Sequence, residues 1–370
     1  MQRVVLSVTN DLITDQRVNK IAQYLLKSGF DVTIIGRRLK NNYRLPDKLY
    51  KTIRMRLLFN KGPLFYAEYN IRLFFLLLFF KADILVANDL DTLLANFLIS
   101  VIKKKKLIYD SHEYFTEVPE LNKRNFTKKI WLTIEQLILP KIKFSYTVSK
   151  SIAKIYNEKY GIDMKVIRNL PLSNKVNLSY CEKIIPENKK IIIYQGVLNI
   201  GRGIELVIEA IQFVDNVLFV IVGDGDIRNE LIKLTLKLNV SDKVIFTGRV
   251  PYEELYSITC KADIGISLEQ KVSLNYYYSL PNKFFDYIHA NVPVLVSELP
   301  EIAEVVKKYN IGVIIHKFDP EYIATQIRNM LNDTNNQKIW KKNLIYASQD
   351  LCWEKEEVKL NDIFFSKNVK

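Results

Sequence analysis

Ile191-Ile192-Ile193-Tyr194-Gln195-Gly196-Val197-Leu198-Asn199-Ile200-Gly201-Arg202-Gly203-Ile204, continuing through Ala210, is the stretch whose pattern decides the fold. A short apolar run reads as a buried strand, three glycines as a turn, and Ile204–Ala210 as a helix. Gly196, Gly201 and Gly203 let backbone approach a ligand closely, and the helix start favours an anion. Arg202, between two of these glycines, suits a diphosphate. The alternative is a plain glycine-rich turn with a solvated arginine.

The same strand–helix alternation runs in both directions from this stretch. Downstream, Val217–Val222, Val244–Phe246, Ile264–Ser267 and Val294–Val296 read as strands. Upstream, Val4–Val8, Val32–Ile35, Asp83–Ala87, Lys106–Tyr109, Tyr146–Val148 and Val166–Ile167 form an earlier series. Alternation of this kind implies parallel sheets built from βαβ units. Two series imply an α/β chain of two Rossmann-like domains. The polar segment Leu170–Ile185, with Pro171, Ser173, Asn174 and Asn177, reads as the linker, which sets domains of 1–175 and 176–345.

Composition agrees. In 370 residues, 48% hydrophobic and 25% charged side chains exclude a disordered chain, and the length suits two domains. The net charge of +14 is uneven: residues 1–180 carry 31 Lys+Arg against 15 Asp+Glu, and the rest is at −2. That asymmetry points to a polyanionic partner for the first domain, or to a generally basic proteome. Cys181, Cys260 and Cys352 are far apart, with no CxxC or Cys/His cluster, so neither disulfides nor a zinc site is expected and a reducing cytoplasm fits. The N-terminus has no secretory leader pattern. The longest apolar run, Leu73–Phe80, is eight residues, against about 20 for a membrane span.

Ligands of open α/β sheets bind beyond the carboxyl ends of strands, so the loops there carry the candidates. After the first strand, Asp15 or Thr14 can cap the next helix. Asn10, Asp11 and Arg17 then remain for a sugar or phosphate. Asp89-Leu90-Asp91 has the form of a metal-binding Asp-x-Asp, but capping by one of the two is the simpler role. His112 follows a strand and is flanked by Asp110 and Glu113, which can orient its ring or raise its pKa. Gly223 opens a turn that makes room for a ligand or for the chain itself, and Arg249 in Thr247-Gly248-Arg249 faces a nucleotide or solvent. Lys283 in the first turn of the helix after Pro281 conflicts with the helix dipole. A bound phosphate removes the conflict, and Asp286, three residues on, suits a ribose. A Lys283–Asp286 surface pair is the other reading.

Taken in order, "SVTNDLITDQRV", "VANDLDTLLA", "YDSHEYFTE", "GRGIELVIEA", "VGDG", "TGRV" and "SLPNKFFDYIHANVPVLVS" resemble the GT-B-fold glycosyltransferases of the family-4 type, in their bacterial polysaccharide-building branch. The resemblance spans nearly the whole chain. It implies two Rossmann-like domains facing across a cleft, the second binding a UDP- or GDP-type nucleotide-sugar and the first the acceptor. The Lys of the usual GRLxxxKG pattern falls on Arg202, which keeps the charge, and its Arg on Val197, which does not. Lys283 substitutes for the missing contact. In the Glu-x7-Glu motif the second Glu falls on Asp286 and the first on Tyr278, with Glu269 as a substitute carboxylate. The histidine near the transferred sugar falls on His112. The resemblance also implies transfer with retention of configuration, with no metal and no cofactor, and a last helix returning to the first domain, here 346–370 with Trp353 as anchor.

The expected function is transfer of a sugar to a lipid-linked or polysaccharide-precursor acceptor at the inner face of the cytoplasmic membrane. Leu64–Phe80, with Phe65, Tyr66, Phe74, Phe75, Phe79 and Phe80 near Arg72, Lys81 and Lys103–Lys106, suits an anionic membrane surface. Its other reading is a core helix beneath a surface lysine run. The alternatives are a nucleotide-sugar epimerase of the same fold, and a non-catalytic nucleotide-sugar-binding subunit. Nucleic acid is not an expected partner, since no binding module accompanies the charge.

Overall fold

The computed structural model describes residues 1–13, 15–39, 48–121, 124–173 and 189–366, apart from the side chains of Tyr252 and Glu253. Thr14, Cys181 and the polar stretch from Asn174 onward lie outside these residues. The chain forms two compact units, Met1–Asn169 with Glu357–Lys370, and Leu170–Glu356.

The first unit holds strands β1 (Arg3–Ser7), β2 (Asp31–Arg38), β3 (Lys51–Arg56), β4 (Ile84–Asn88), β5 (Lys106–Ser111), β6 (Phe144–Thr147) and β7 (Lys165–Val166). Its longer helices are α1 (Gln16–Lys27), α2 (Gly62–Phe79), α3 (Leu90–Lys103), α4 (Asn125–Ile138) and α5 (Lys150–Tyr160). The strands pair in parallel in the order β3-β2-β1-β4-β5-β6-β7. Chain order therefore reverses between β1 and β4.

The second unit holds β8 (Lys190–Gln195), β9 (Val217–Val222), β10 (Val244–Gly248), β11 (Ile264–Ser267), β12 (Val294–Ser297) and β13 (Gly312–Ile315). Helices α6 (Ile204–Ile211), α7 (Arg228–Lys237), α8 (Tyr252–Thr259), α9 (Leu274–Tyr277), α10 (Asn282–His289), α11 (Pro300–Tyr309), α12 (Pro320–Asn332) and α13 (Thr334–Asp350) connect or follow them. The parallel order is β10-β9-β8-β11-β12-β13, reversing between β8 and β11. Alternate residues of each strand feed opposite cores. Ile191, Ile193, Leu218 and Val220 pack with α10, α11 and α13, while Ile192, Tyr194, Phe219 and Ile221 pack with α6 and α12. Burial on both faces explains why these strands read as unbroken apolar runs.

Two strands escape the hydrophobic pattern. β3 is an edge strand, Lys51-Thr52-Ile53-Arg54-Met55-Arg56, with exposed cations at its two ends and Arg54 turned in against Asp11. β13 begins at Gly312, where a Cβ would sit 2.0 Å from the Val294 carbonyl oxygen, so glycine is required there in spite of its low strand preference.

The return to the first unit begins later than position 346. Leu344, Ala347 and Leu351 belong to the second unit's core, and the Trp353 N–H donates to the Pro171 carbonyl at 2.8 Å. Trp353 thus anchors its own unit. The returning segment starts at Glu357, and Phe364 and Phe365 pack on Phe30. Lys106 fixes it: the buried Nζ donates to the carbonyls of Ile363 (2.6 Å), Phe364 (3.1 Å) and Ser366 (2.8 Å). Lys106 is therefore not part of a surface lysine run.

Candidate active site

The loops after β8 and β11 flank the reversal of the second sheet. Gly203 caps α6 at φ +74°, and a Cβ on it would come within 2.4 Å of the Leu268 carbonyl oxygen. Its absence lets the loop after β11 lie against the start of α6, which brings Glu269 to Arg202. Gly223 acts similarly beside Gly196, where a Cβ would come within 1.9 Å of the Gly196 oxygen. The Gly223 N–H donates to the Gly248 carbonyl at 2.9 Å, so the ends of β8, β9 and β10 are laced together.

Glu269 is wholly buried and is the hub of this site. Its Oε1 lies 2.6 Å from Lys283 Nζ and 3.7 Å from an Arg202 guanidinium nitrogen, and its Oε2 accepts from the Ser267 hydroxyl at 2.7 Å. Aromatic rings back both cations: Lys283 Nζ is 4.1 Å from the Tyr194 centroid, and Arg202 is 4.2 Å from that of Tyr276. Burial works to raise the Glu269 carboxyl, but Lys283 and Arg202 outweigh it and hold the pKa below its ordinary value. Burial pushes the Lys283 ammonium down to about 8 against the pull of Glu269. Two cations against one carboxylate leave a residual positive charge at the starts of α6 and α10, neither of which has a side-chain cap.

Glu269, rather than a surface partner, thus accounts for a lysine in the first turn of α10. The Lys283–Asp286 pair is not formed. Asp286 accepts instead from Gln195 Nε2 at 2.9 Å, and Gln195 Oε1 accepts from the Thr259 hydroxyl at 2.7 Å. Sequence reasoning passed over Gln195, although it is the last residue of β8 before Gly196. Arg249 is 83% exposed and lies 3.9 Å from Asp224. Tyr278 caps the C-terminus of α9.

In the first unit a second charged group lies at the β1/β4 reversal. The Arg17 guanidinium donates to both oxygens of Asp110, at 2.7 Å for the closest contact, and to the Ile167 carbonyl at 2.9 Å. Arg17 and Asp110 are both buried, so Arg17 has an internal partner rather than an outward-facing guanidinium. Burial works to raise the Asp110 carboxyl, and Arg17 and His112 overcome it and hold the pKa below its ordinary value. His112 Nε2 is 3.2 Å from Asp110, while its Nδ1 is 3.3 Å from Asp89. Sequence reasoning placed Asp110 beside His112 but read Asp89 only as one of two candidate caps, not as a partner of the ring.

Neither acid of Asp89-Leu90-Asp91 caps α3. Asp89 makes no side-chain cap bond, and Asp91 accepts from the Thr9 hydroxyl at 2.6 Å. Asp15 does cap α1, through the Val18 N–H. Asn10 braces that cap by donating to Asp15, and Asp11 accepts from the Ile13 N–H and lies 3.6 Å from Arg54. Glu113 is half-buried, with its carbonyl accepting from the Ser111 hydroxyl.

Two parallel-sheet units, each with charged side chains at its strand reversal, define a two-domain α/β protein of Rossmann-like halves. The family model for glycosyl transferases group 1 matches residues 182–345, and that for glycosyltransferase family 4 matches 15–170. The chain belongs to the GT-B glycosyltransferases of the family-4 type.

An uncharacterised glycosyltransferase of Methanocaldococcus jannaschii is 30% identical over 203 residues, covering 50% of each chain. A chitobiosyldiphosphodolichol beta-mannosyltransferase of Candida albicans is 25% identical over 236 residues, covering 57% of this chain and 51% of its own. The chain spans about half the length of these two relatives. Among solved structures, sucrose-phosphate synthase from Thermosynechococcus elongatus superposes with a TM-score of 0.80 at 16% identity, covering 99% of this chain and 98% of its own. An Anabaena protein in complex with UDP-glucose gives 0.77 at 14% identity, covering 99% and 100%. At these identities the structures speak to the fold alone.

Proposed function

We propose that the chain transfers a sugar from a UDP- or GDP-type nucleotide-sugar to a lipid-linked or polysaccharide-precursor acceptor, with retention and without a metal or cofactor. The convergence of Arg202 and Lys283 on buried Glu269, at the strand reversal of the second sheet, carries this reading. In it the two cations stabilise the departing diphosphate. Asp286, held by Gln195, takes the ribose, and the glycine loops admit the pyrophosphate. The acceptor hydroxyl attacks the face from which the nucleotide leaves. Asn10, Asp11, His112 and Glu113 serve the acceptor or the sugar from the first unit. The Campylobacter jejuni relative, 23% identical over 278 residues, carries a printed name with an undecaprenol-diphosphate-linked glycan as acceptor, which supports a lipid-linked one here.

Arg202→Ala and Asp286→Ala are expected to stay folded and to weaken donor binding by about 10–100-fold. Calorimetry with UDP-glucose and GDP-mannose reads this. Wild-type affinity in both variants for a donor that binds would remove the proposed site.

An anionic membrane surface on the cytoplasmic side is proposed as the place of action. No helix of the described residues is long and apolar enough to cross a membrane. Helix α2 has two apolar stripes at four-residue spacing. Phe65, Tyr69, Leu73 and Leu77 are buried, whereas Ile71, Phe75 and Phe79 are exposed. The core-helix reading thus holds for one stripe only. Lys103 donates to the Leu77 and Phe80 carbonyls, tying the end of α3 to the end of α2, and Val101 and Ile102 of α3 are exposed. Arg72, Lys81, Lys104 and Lys105 lie close to these residues in sequence, which supports a reading of apolar and basic groups together. Vesicles with anionic lipid are expected to retain the protein at low salt, and Phe75→Ser with Phe79→Ser to release it. No retention of the native protein sinks the membrane proposal.

A further inference from the structure

His112 is held on three sides, and the grip is asymmetric. Asp89 takes two of the contacts: Oδ1 accepts the His112 backbone N–H at 2.7 Å, and Oδ2 lies 3.3 Å from ring Nδ1. Asp110 takes the third, at 3.2 Å from ring Nε2, and is itself locked by Arg17. Both ring nitrogens therefore face carboxylates, and neither is left for a proton exchange with substrate. The cause lies in the backbone. The Asp89 N–H donates to the Asp110 carbonyl at 2.8 Å, extending the β4/β5 ladder by one residue. To stay in that ladder and still turn into α3, Asp89 adopts φ +60°, ψ 169°. That region is essentially reserved for glycine. An aspartate kept there points to a requirement for its carboxylate.

We infer that Asp89 is a positioning residue that fixes His112 as a cationic contact, not a proton-transfer group, by engaging its backbone N–H and Nδ1 while Asp110 engages Nε2. The charged groups around the ring are Arg17 from α1, Asp89 and Asp91 at the start of α3, Asp110 from β5 and Glu113 from its own loop. Tyr146 of β6 adds its ring beside Arg17. Burial alone would lower the His112 pKa, but Asp89 and Asp110 outweigh burial and raise it, while burial pushes the Asp89 carboxyl up to about 8 against the pull of His112. A ring so held offers a fixed positive edge to an oxygen that gains charge in the reaction.

The kinetic arm of the test rests on the transferase reading, while the spectroscopic arm does not. The three histidine rings are followed by NMR from pH 5.5 to 9, assigned through His289→Gln and His316→Gln. Native His112 is expected to keep both ring protons across the range. In Asp89→Asn the ring loses its carboxyl partner at Nδ1 and titrates within the range. Asp89→Gly, which takes the backbone conformation without strain, guards against a variant that fails to fold and is expected to free the ring likewise. Turnover in both falls by roughly 10–100-fold with donor KM little changed, and activity acquires a decline as pH rises through the new titration. A native His112 that titrates near the ordinary 6.5, or variants that leave the ring and the pH profile untouched, overturns the inference. If the native protein transfers no sugar, the transferase reading falls and the ring titration alone decides the role of Asp89.

Discussion

Arg17→Met lowers the stability of the first unit by about 3–5 kcal/mol, the expected cost of stripping the partner from a buried charge. Arg17 and Asp110 side chains are 4% and 0% exposed, so water does not replace the lost guanidinium. The methionine also leaves the Ile167 carbonyl without its donor. His112 remains beside Asp110 and offsets part of the loss. In the native protein the Asp110 pKa is depressed, so its pairing contributes stability above the unfolded carboxylate pKa, which is lost as pH falls through the folded value. In the variant, burial acts on Asp110 with less opposition and its pKa rises. The difference between the two proteins is therefore largest near neutral pH and narrows on acidification. Urea unfolding at pH 7 and pH 4.5 reads both effects. Adding Asp110→Asn to the variant is expected to recover much of the loss, because the orphaned charge goes with it. A deficit below about 1 kcal/mol at pH 7 would show that the pair does not hold the unit together.

The same pair marks where sequence reading stops. Arg17 stands on the helix after a strand end, which is where ligand-binding cations stand, and its sequence neighbours say nothing against that role. Its partner lies 93 residues away and becomes visible only when β1, β4 and β5 are set side by side. Asp89 is hidden for a related reason. Asp-Leu-Asp before an apolar helix is a good cap in sequence, and only the φ of +60° and the ladder bond to Asp110 turn its carboxylate toward His112 instead. The sheets were readable because central strands such as β1, β4, β8 and β9 are buried on both faces and so are largely apolar runs. β3 and β13 were not, since one is a half-buried edge strand broken by cations and the other begins at an obligatory glycine. In the second unit the strand-end rule led to Arg202, Lys283 and Asp286. The burial of Glu269 between the two cations was not readable, because it depends on Gly203 admitting the Leu268 backbone.

Lys283→Met is expected to weaken binding of a UDP-sugar by about 10–100-fold, more than any single neutral contact in the proposed site would. The side chain is 8% exposed and already desolvated, so its charge acts on an incoming diphosphate through protein, not water. Its pKa, pushed down by burial to about 8, adds a pH signature. A bound diphosphate favours the cation, so above that pH binding takes up a proton, and affinity declines as pH rises through 8. Glu269→Gln removes the carboxylate that keeps Lys283 charged, so the decline moves to lower pH. It also leaves Arg202 and Lys283 repelling each other without a counter-ion. Lys283→Arg, charged at every pH in the range, is expected to abolish the decline if the larger head is accommodated against Tyr194. Calorimetry with UDP-glucose at pH 7, 8 and 9, in buffers of differing ionisation heat, measures affinity and proton uptake together. An affinity unchanged from pH 7 to 9, with no proton taken up at pH 9, would mean that Lys283 serves only as the internal counter-ion of Glu269, and the diphosphate would then rest on Arg202 and the helix starts alone.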